Sequence, residues 1–187
     1  MKRFLLLLGL VIALVSCAGL PKQESEGDSL VIGSFILDFP DGFFNRSPKK
    51  FDTNVQLFFT NTTRNKSFTL GTAGGYFCFL TNGTDEYVLE TSQIIKMLIG
   101  NTRYSFHGDT INFKISTVPG KVIYLGHIVF TYTDPGFSKR KGRTTYYNYE
   151  SSVSVAWDRD ALVQYMEKVQ KDSSWLNMEI VEYRKQE

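Results

Sequence analysis

Thr110-Ile111-Asn112-Phe113-Lys114-Ile115-Ser116-Thr117-Val118-Pro119-Gly120-Lys121-Val122-Ile123-Tyr124-Leu125-Gly126-His127-Ile128-Val129-Phe130 contains two kinds of strand and the turn between them. In the first part Ile111, Phe113 and Ile115 alternate with Thr110, Asn112, Lys114 and Ser116, a period of two that turns one face to a core and the other to water. Pro119 and Gly120 then occupy the central positions of a type II turn within Val118-Pro119-Gly120-Lys121. Residues 122–132 are apolar on both alternating sets, as in a strand covered on two sides. A half-covered strand followed by a fully covered one predicts stacked β layers.

The same signals extend in both directions. Val55, Leu57 and Phe59 alternate with Gln56 and Thr60, and residues 30–39 are again apolar on both sets. Residues 76–80 and 87–89 flank Asn82-Gly83, a dipeptide suited to the positive φ angles of a hairpin turn, so these two segments are expected to pair. Toward the C-terminus, 133–143 is expected to form the tip of a long hairpin. It returns as a strand over 144–157 with Tyr147, Tyr149, Val153, Val155 and Trp157 on one side. Asp158 or Asp160 caps a helix whose apolar positions Ala161, Leu162, Tyr165, Met166 and Val169 fall at helical spacing, with Lys168 and Lys171 near its end. Residues 172–175 break it, and 176–183 is expected to add an edge strand. Phe, Tyr and Trp make up 14% of the chain, which favours β structure over a helical bundle. The expected fold is mainly β, an antiparallel β-sandwich with one C-terminal α-helix, forming a single domain over 30–187.

At the amino terminus Lys2 and Arg3 precede an apolar run over 4–15, the charged and hydrophobic regions of a secretory signal peptide over 1–16. The run is too short to span comfortably a hydrocarbon core that takes roughly 20 apolar residues. Its end, Leu14-Val15-Ser16-Cys17, resembles the lipobox of bacterial lipoproteins, in which a small residue exposes the bond to be cut and a cysteine thiol takes the lipid. The resemblance implies lipidation at Cys17 by diacylglycerol, and often by a further acyl chain such as palmitate on the new amino terminus. Each buried methylene contributes about 0.8 kcal/mol, and two chains already suffice for stable attachment. Ala18 differs from the aspartate that retains such lipoproteins in the inner membrane, favouring the cell outer membrane. Residues 17–29 are expected to be the lipidated cysteine and a flexible tether, whose polar part holds the domain roughly 20 Å from its anchor on average.

The segment from Pro119 to Phe130, with the earlier Gly75-Tyr76-Phe77, is similar to small bacterial lipoproteins with a transthyretin-like β-sandwich of unassigned function, an immunoglobulin-like sandwich being the alternative. In that family a Pro/Gly turn enters a strand reading roughly Gly-x-x-Tyr-x-Gly. Here Gly120-Lys121-Val122-Ile123-Tyr124 carries one residue more before the aromatic. The family supplies no catalytic residue.

Chemistry-bearing residues are sparse. The chain has two histidines, His107 and His127. His127 falls in the set Ile123, Leu125, Val129 and is expected to be a packed or partly exposed strand residue, whereas His107, before Gly108-Asp109, is expected in a solvated turn. No spacing of His, Cys, Asp and Glu suggests a metal site. Gly-x-Ser-x-Gly is absent from the sequence. Gly71-Thr72-Ala73-Gly74-Gly75 lacks the lysine and hydroxyl residue of a phosphate loop and is expected to be a turn. Asp38 with Asp41, and Asp158 with Asp160, are expected to serve turn formation and helix capping. With Cys17 lipidated, Cys78 is the sole remaining thiol and excludes an internal disulfide; between Phe77 and Phe79 it is expected to be buried, intermolecular pairing being the alternative.

The most suggestive cluster is Lys139-Arg140-Lys141-Gly142-Arg143, beside Tyr146, Tyr147 and Tyr149. Lys139, Arg140, Lys141 and Arg143 are candidate binding residues for anionic lipid headgroups, an acidic envelope polymer or another envelope protein; the competing reading is a solvated loop. The whole chain has 21 basic and 19 acidic residues, and loss of Lys2 and Arg3 with the signal leaves the two signs equal. A nucleic-acid binder would show a basic excess. The sequence therefore predicts a non-enzymatic, lipid-anchored membrane lipoprotein of the bacterial cell envelope, needing no cofactor and acting as a structural or interaction module. The alternative is an envelope carrier or binding protein for a small apolar or glycan ligand, and a third reading is a hydrolase.

Overall fold

The computed structural model describes residues 19–39, 50–52, 55–99, 102–141 and 144–183. Two sheets face each other, and one helix covers the outer side of the larger. The centre of the larger sheet is β1 (Asp28–Asp38), lying parallel to β8 (Val122–Lys141) from Leu30 opposite Val122 to Asp38 opposite Thr131. β2 (Lys50–Phe51) and β5 (Tyr76–Asn82) pair antiparallel with the free edge of β1. The far edge of β8 is shared by β10 (Ile180–Glu182), parallel at Val122–Tyr124, and β9 (Thr144–Ala156), antiparallel from His127 to Lys141. The smaller sheet is wholly antiparallel in the order β4 (Lys66–Gly71), β3 (Val55–Asn61), β6 (Glu86–Ile99), β7 (Thr102–Ser116).

The double apolar pattern of β1 and β8 has a direct cause in this layering. Val31, Phe35, Leu37 and Phe39 on β1 and just beyond it, with Ile123, Leu125, Ile128, Phe130 and Tyr132 on β8, face the smaller sheet. The opposite set, Leu30 and Ile32 with Val122 and Tyr124, faces the helix. Between the sheets the space is filled by aromatic rings: Phe59 lies 5.5 Å from Phe68 and 5.2 Å from Phe79, which is 5.0 Å from Tyr87. Such pairs add about 0.5–1.5 kcal/mol each beyond area burial.

Helix α1 (Arg159–Val169) begins where Asp158 accepts a hydrogen bond from the Ala161 N–H at 2.9 Å. It buries Leu162 and Met166 against the large sheet, and Tyr165 stacks on Tyr76 with ring centroids 3.7 Å apart. A single 3-10 turn, Ser174–Asn177, then seats Trp175 in the same cluster.

The sandwich with one helix is as the sequence predicts. The two parallel pairings of β8 are an addition, made possible because β1 and β10 lie at opposite ends of the chain. Three local expectations are corrected. Residues 76–82 and 86–89 do not pair: β5 joins β1, while β6 joins β3 and β7. Gly83 does have the positive φ, +87°, that the dipeptide suggests, but the turn carries the chain from one sheet to the other. His107 lies within β7 opposite Gln93 rather than in a turn. The last strand covers Ile180–Glu182 only, because 174–177 coil into the 3-10 turn.

The crossing at Gly83 is held by a buried polar cluster. Asp85 Oδ2 accepts from Arg64 Nε at 2.9 Å and from Asn61 Nδ2 at 3.0 Å, and the Tyr87 hydroxyl is 3.3 Å away. Thr117 Oγ1 accepts from the Asp85 N–H at 2.9 Å and lies 3.0 Å from the Gly83 carbonyl. The end of β7 is thereby tied to the start of β6. Burial holds the Tyr87 phenol above its ordinary pKa.

Candidate functional site

Cys17 and the expected signal peptide lie outside the described residues, and burial in the described chain starts at one point. That point is Leu20, 6% exposed and packed with Leu30, Ile32, Cys78, Val122, Tyr124, Leu162, Met166 and Trp175. The next residue is held as well: the Trp175 indole N–H donates to the Pro21 carbonyl at 2.6 Å. Further along, the Asp28 carboxylate accepts from the Glu24 and Ser25 N–H groups, each at 2.7 Å, and from the Ser25 hydroxyl at 2.8 Å. The Ser25 backbone bond, the Ser25 hydroxyl and the Glu24 bond together pull the Asp28 pKa down. The expected flexible tether over 17–29 is thus corrected, since residues 20–29 belong to the folded unit. Among these residues Leu20 is the single large apolar side chain, the one local signal that this segment docks.

Pro21, Lys22 and Gln23 line one side of an open groove whose other side is Gln170, Asp172, Ser173, Ser174 and Trp175. The exposed Lys168 and Lys171 lie at the adjoining end of α1. Residues 21–23, the helix end and the 3-10 turn therefore form one face.

The predicted hairpin of the basic cluster is present in the backbone, with Lys139 opposite Tyr146, Arg140 opposite Thr145 and Lys141 opposite Thr144. Strand pairing runs through 139–141, so these positions belong to the ladder, and Arg143 lies outside the described residues. Val122, beside the Leu20 cluster, and Lys141 are the two ends of a 20-residue strand. At an ideal rise that is about 60 Å of strand, so Lys139, Arg140 and Lys141 do not form one site with the segment around Leu20.

His127 and Ser34 face each other in register across β8 and β1, and Ser34 Oγ bonds His127 Nδ1. The Ser34 side chain is 1% exposed, which hides its hydroxyl from any substrate. Asp158 serves as the helix cap, with Asp160 in the first turn, and Asp38 pairs with Lys50 at 3.4 Å; Asp41 lies outside the described residues. Ala73, Gly74 and Gly75 form the expected turn into β5. Cys78 is a buried thiol in the helix-side cluster. Among the described residues no group of three or more His, Cys, Asp or Glu could hold a metal ion, and no helix is long and apolar enough to cross a membrane.

Sequence reading missed the Asp85 cluster, in which Asn61 and Arg64 come from the β3–β4 turn, Asp85 from the crossing between β5 and β6 and Thr117 from the end of β7, and the Leu20–Trp175 contact. No protein-family model matches the chain, and no curated protein matches it.

Proposed function

We propose that the protein is a lipid-anchored lipoprotein of the bacterial cell envelope whose β-sandwich works by contact, as a structural or interaction module without catalytic activity. The observation that carries this reading is the register of Lys2-Arg3, the apolar run over 4–15 and Leu14-Val15-Ser16-Cys17. Two features support contact over other modes of action. The rings of Phe59, Phe68, Phe79 and Tyr87 occupy the space between the sheets where a carrier would hold an apolar or glycan ligand. The buried Ser34 hydroxyl leaves the Ser34–His127 pair without an accessible nucleophile. Ala18 favours the outer membrane as the site of attachment.

Incorporation of radiolabelled palmitate by the native chain and its loss in Cys17→Ser is the expected result. A native product that begins at Met1 with no fatty acyl mass overturns the anchor. Contact is tested by cross-linking in intact cells followed by mass spectrometry, with reproducible envelope partners expected. Replacing Lys139, Arg140, Lys141 and Arg143 with Ser or Gln is expected to weaken binding to envelope fractions, and unchanged binding removes the basic hairpin from the reading.

A further inference from the structure

The fixed position of Leu20 sets how closely the domain approaches its anchor, and this rests on the lipoprotein reading of Cys17. From Cys17 to Leu20 the chain advances three residues, a reach of about 11 Å even when fully extended. A tether free up to residue 29 would reach about 40 Å. The headgroup layer on each side of a bilayer is itself about 5–8 Å deep. An anchor held at that layer by its acyl chains thus leaves no water gap wide enough to separate the domain from the lipid.

The geometry points to a lipid-docking face made of the residue 20–23 segment, the C-terminal end of α1 and the 3-10 turn, which rests on the headgroups of the membrane that holds Cys17. Leu20 is locked into the cluster that contains Leu162, Met166 and Trp175, so the face around it cannot rotate away without undoing that packing. The side chains around this point are polar and exposed: Lys22, Gln170, Lys171 and Asp172, with Glu167 and Lys168 on the last turn of the helix. Lysine ammonium groups here can meet lipid phosphate, and glutamine can hydrogen-bond glycerol and phosphate oxygens. The smaller sheet then faces away from the lipid, with Thr69 exposed on β4.

The test uses the acylated full chain in phosphatidylethanolamine and phosphatidylglycerol vesicles containing a lipid with a nitroxide on its headgroup. Gln170→Cys and Thr69→Cys, each in a Cys78→Ala background, carry a thiol-reactive fluorophore, and urea unfolding checks that each variant is folded. Several-fold stronger quenching at 170 than at 69 is expected. An insertion of ~10 Gly/Ser residues between Ala18 and Gly19 adds roughly 17 Å of mean reach and should reduce the quenching at 170. Equal quenching at the two positions, or quenching at 170 that ignores the insertion, overturns the docking face. Acyl mass is measured on the same samples. Its absence overturns the anchor and the face together, whereas acylated protein with equal quenching overturns the face alone.

Discussion

The indole of Trp175 and the carbonyl of Pro21 are joined by a 2.6 Å hydrogen bond across 154 positions of sequence. It closes the helix-side cluster over Leu20 and makes the amino-terminal segment part of the fold. Trp175→Phe keeps a ring in place and removes the donor, with an expected cost of about 1 kcal/mol. Leu20→Ala removes buried methyl groups and should cost about 2–3 kcal/mol. Urea unfolding of the mature chain measures both, and no change in either variant would mean that residues 20–21 contribute nothing to stability.

The cluster at Asp85 predicts an asymmetry between the two partners of one ion pair. The Asp85 side chain is 6% exposed and that of Arg64 is 54% exposed. Removing the carboxylate strands Asn61 Nδ2 inside, so Asp85→Ala should destabilise by about 2–4 kcal/mol. Removing the guanidinium leaves the carboxylate with Asn61 Nδ2 and the Tyr87 hydroxyl, and because the Arg64 side chain is half exposed Arg64→Ala should cost less, about 1–2 kcal/mol. Equilibrium denaturation of both variants checks the order, and a larger loss in Arg64→Ala would place the energetic weight on the surface charge instead.

Local pattern made much of this fold legible, while partner choice was not. Residues 30–39 and 122–132 read as doubly covered strands because both alternating sets are apolar, and each set has its own cluster in the structure. The helix was legible from its spacing and its Asp158 cap. Asn82-Gly83 and Pro119-Gly120 identified turns correctly, but a turn has the same local chemistry whether it returns the chain along the same sheet or carries it to the facing one. The docking of Leu20 was hidden because its partner Trp175 is distant in sequence and its neighbours are polar. For the basic cluster, composition supplied a candidate and the backbone supplied a hairpin.

Acid should loosen the amino-terminal segment before it unfolds the aromatic core. The Asp28 carboxylate accepts hydrogen bonds from the Ser25 backbone and hydroxyl and from the Glu24 backbone, which holds its pKa below the ordinary aspartate value. A carboxyl with a depressed folded pKa contributes stability that is present above the unfolded value and is lost as pH falls through the folded one. The loss should therefore begin near pH 4 and continue below it. Amide exchange of Glu24 and Ser25, followed from pH 5 to pH 2.5 with correction for intrinsic rates, should lose protection over that window. Asp28→Asn should reduce the pH dependence, and an identical acid profile in that variant would count against this carboxylate as its source.

A bulge at Gly126 decides which way His127 points. Simple alternation from Ile123 and Leu125 sends residue 127 into the apolar interior, as the sequence suggests. Between the pairs Ile32–Tyr124 and Ser34–His127, however, β8 advances one residue more than β1. The inward set therefore resumes at Ile128, Phe130 and Tyr132, and His127 bonds Ser34 on the helix side. Gly126 has φ +84°, and a Cβ there would lie 2.7 Å from Val155 Cγ1 and 2.9 Å from the Ala156 carbonyl oxygen. Because the carbonyl belongs to the paired backbone of β9, it cannot move aside cheaply. Gly126→Ala is expected to cost about 3 kcal/mol, from positive φ and overpacking together. At Gly33 the three atoms nearest a Cβ would be Phe77 Cζ at 3.0 Å, Leu125 Cβ at 3.1 Å and Phe77 Cε1 at 3.2 Å. Gly33→Ala should cost about 1–2 kcal/mol, since the ring has some freedom to shift. Thermal and urea unfolding of the two variants gives the comparison. If Gly33→Ala proves the more damaging, packing against Phe77 rather than the conformation of the bulge limits this part of the sheet.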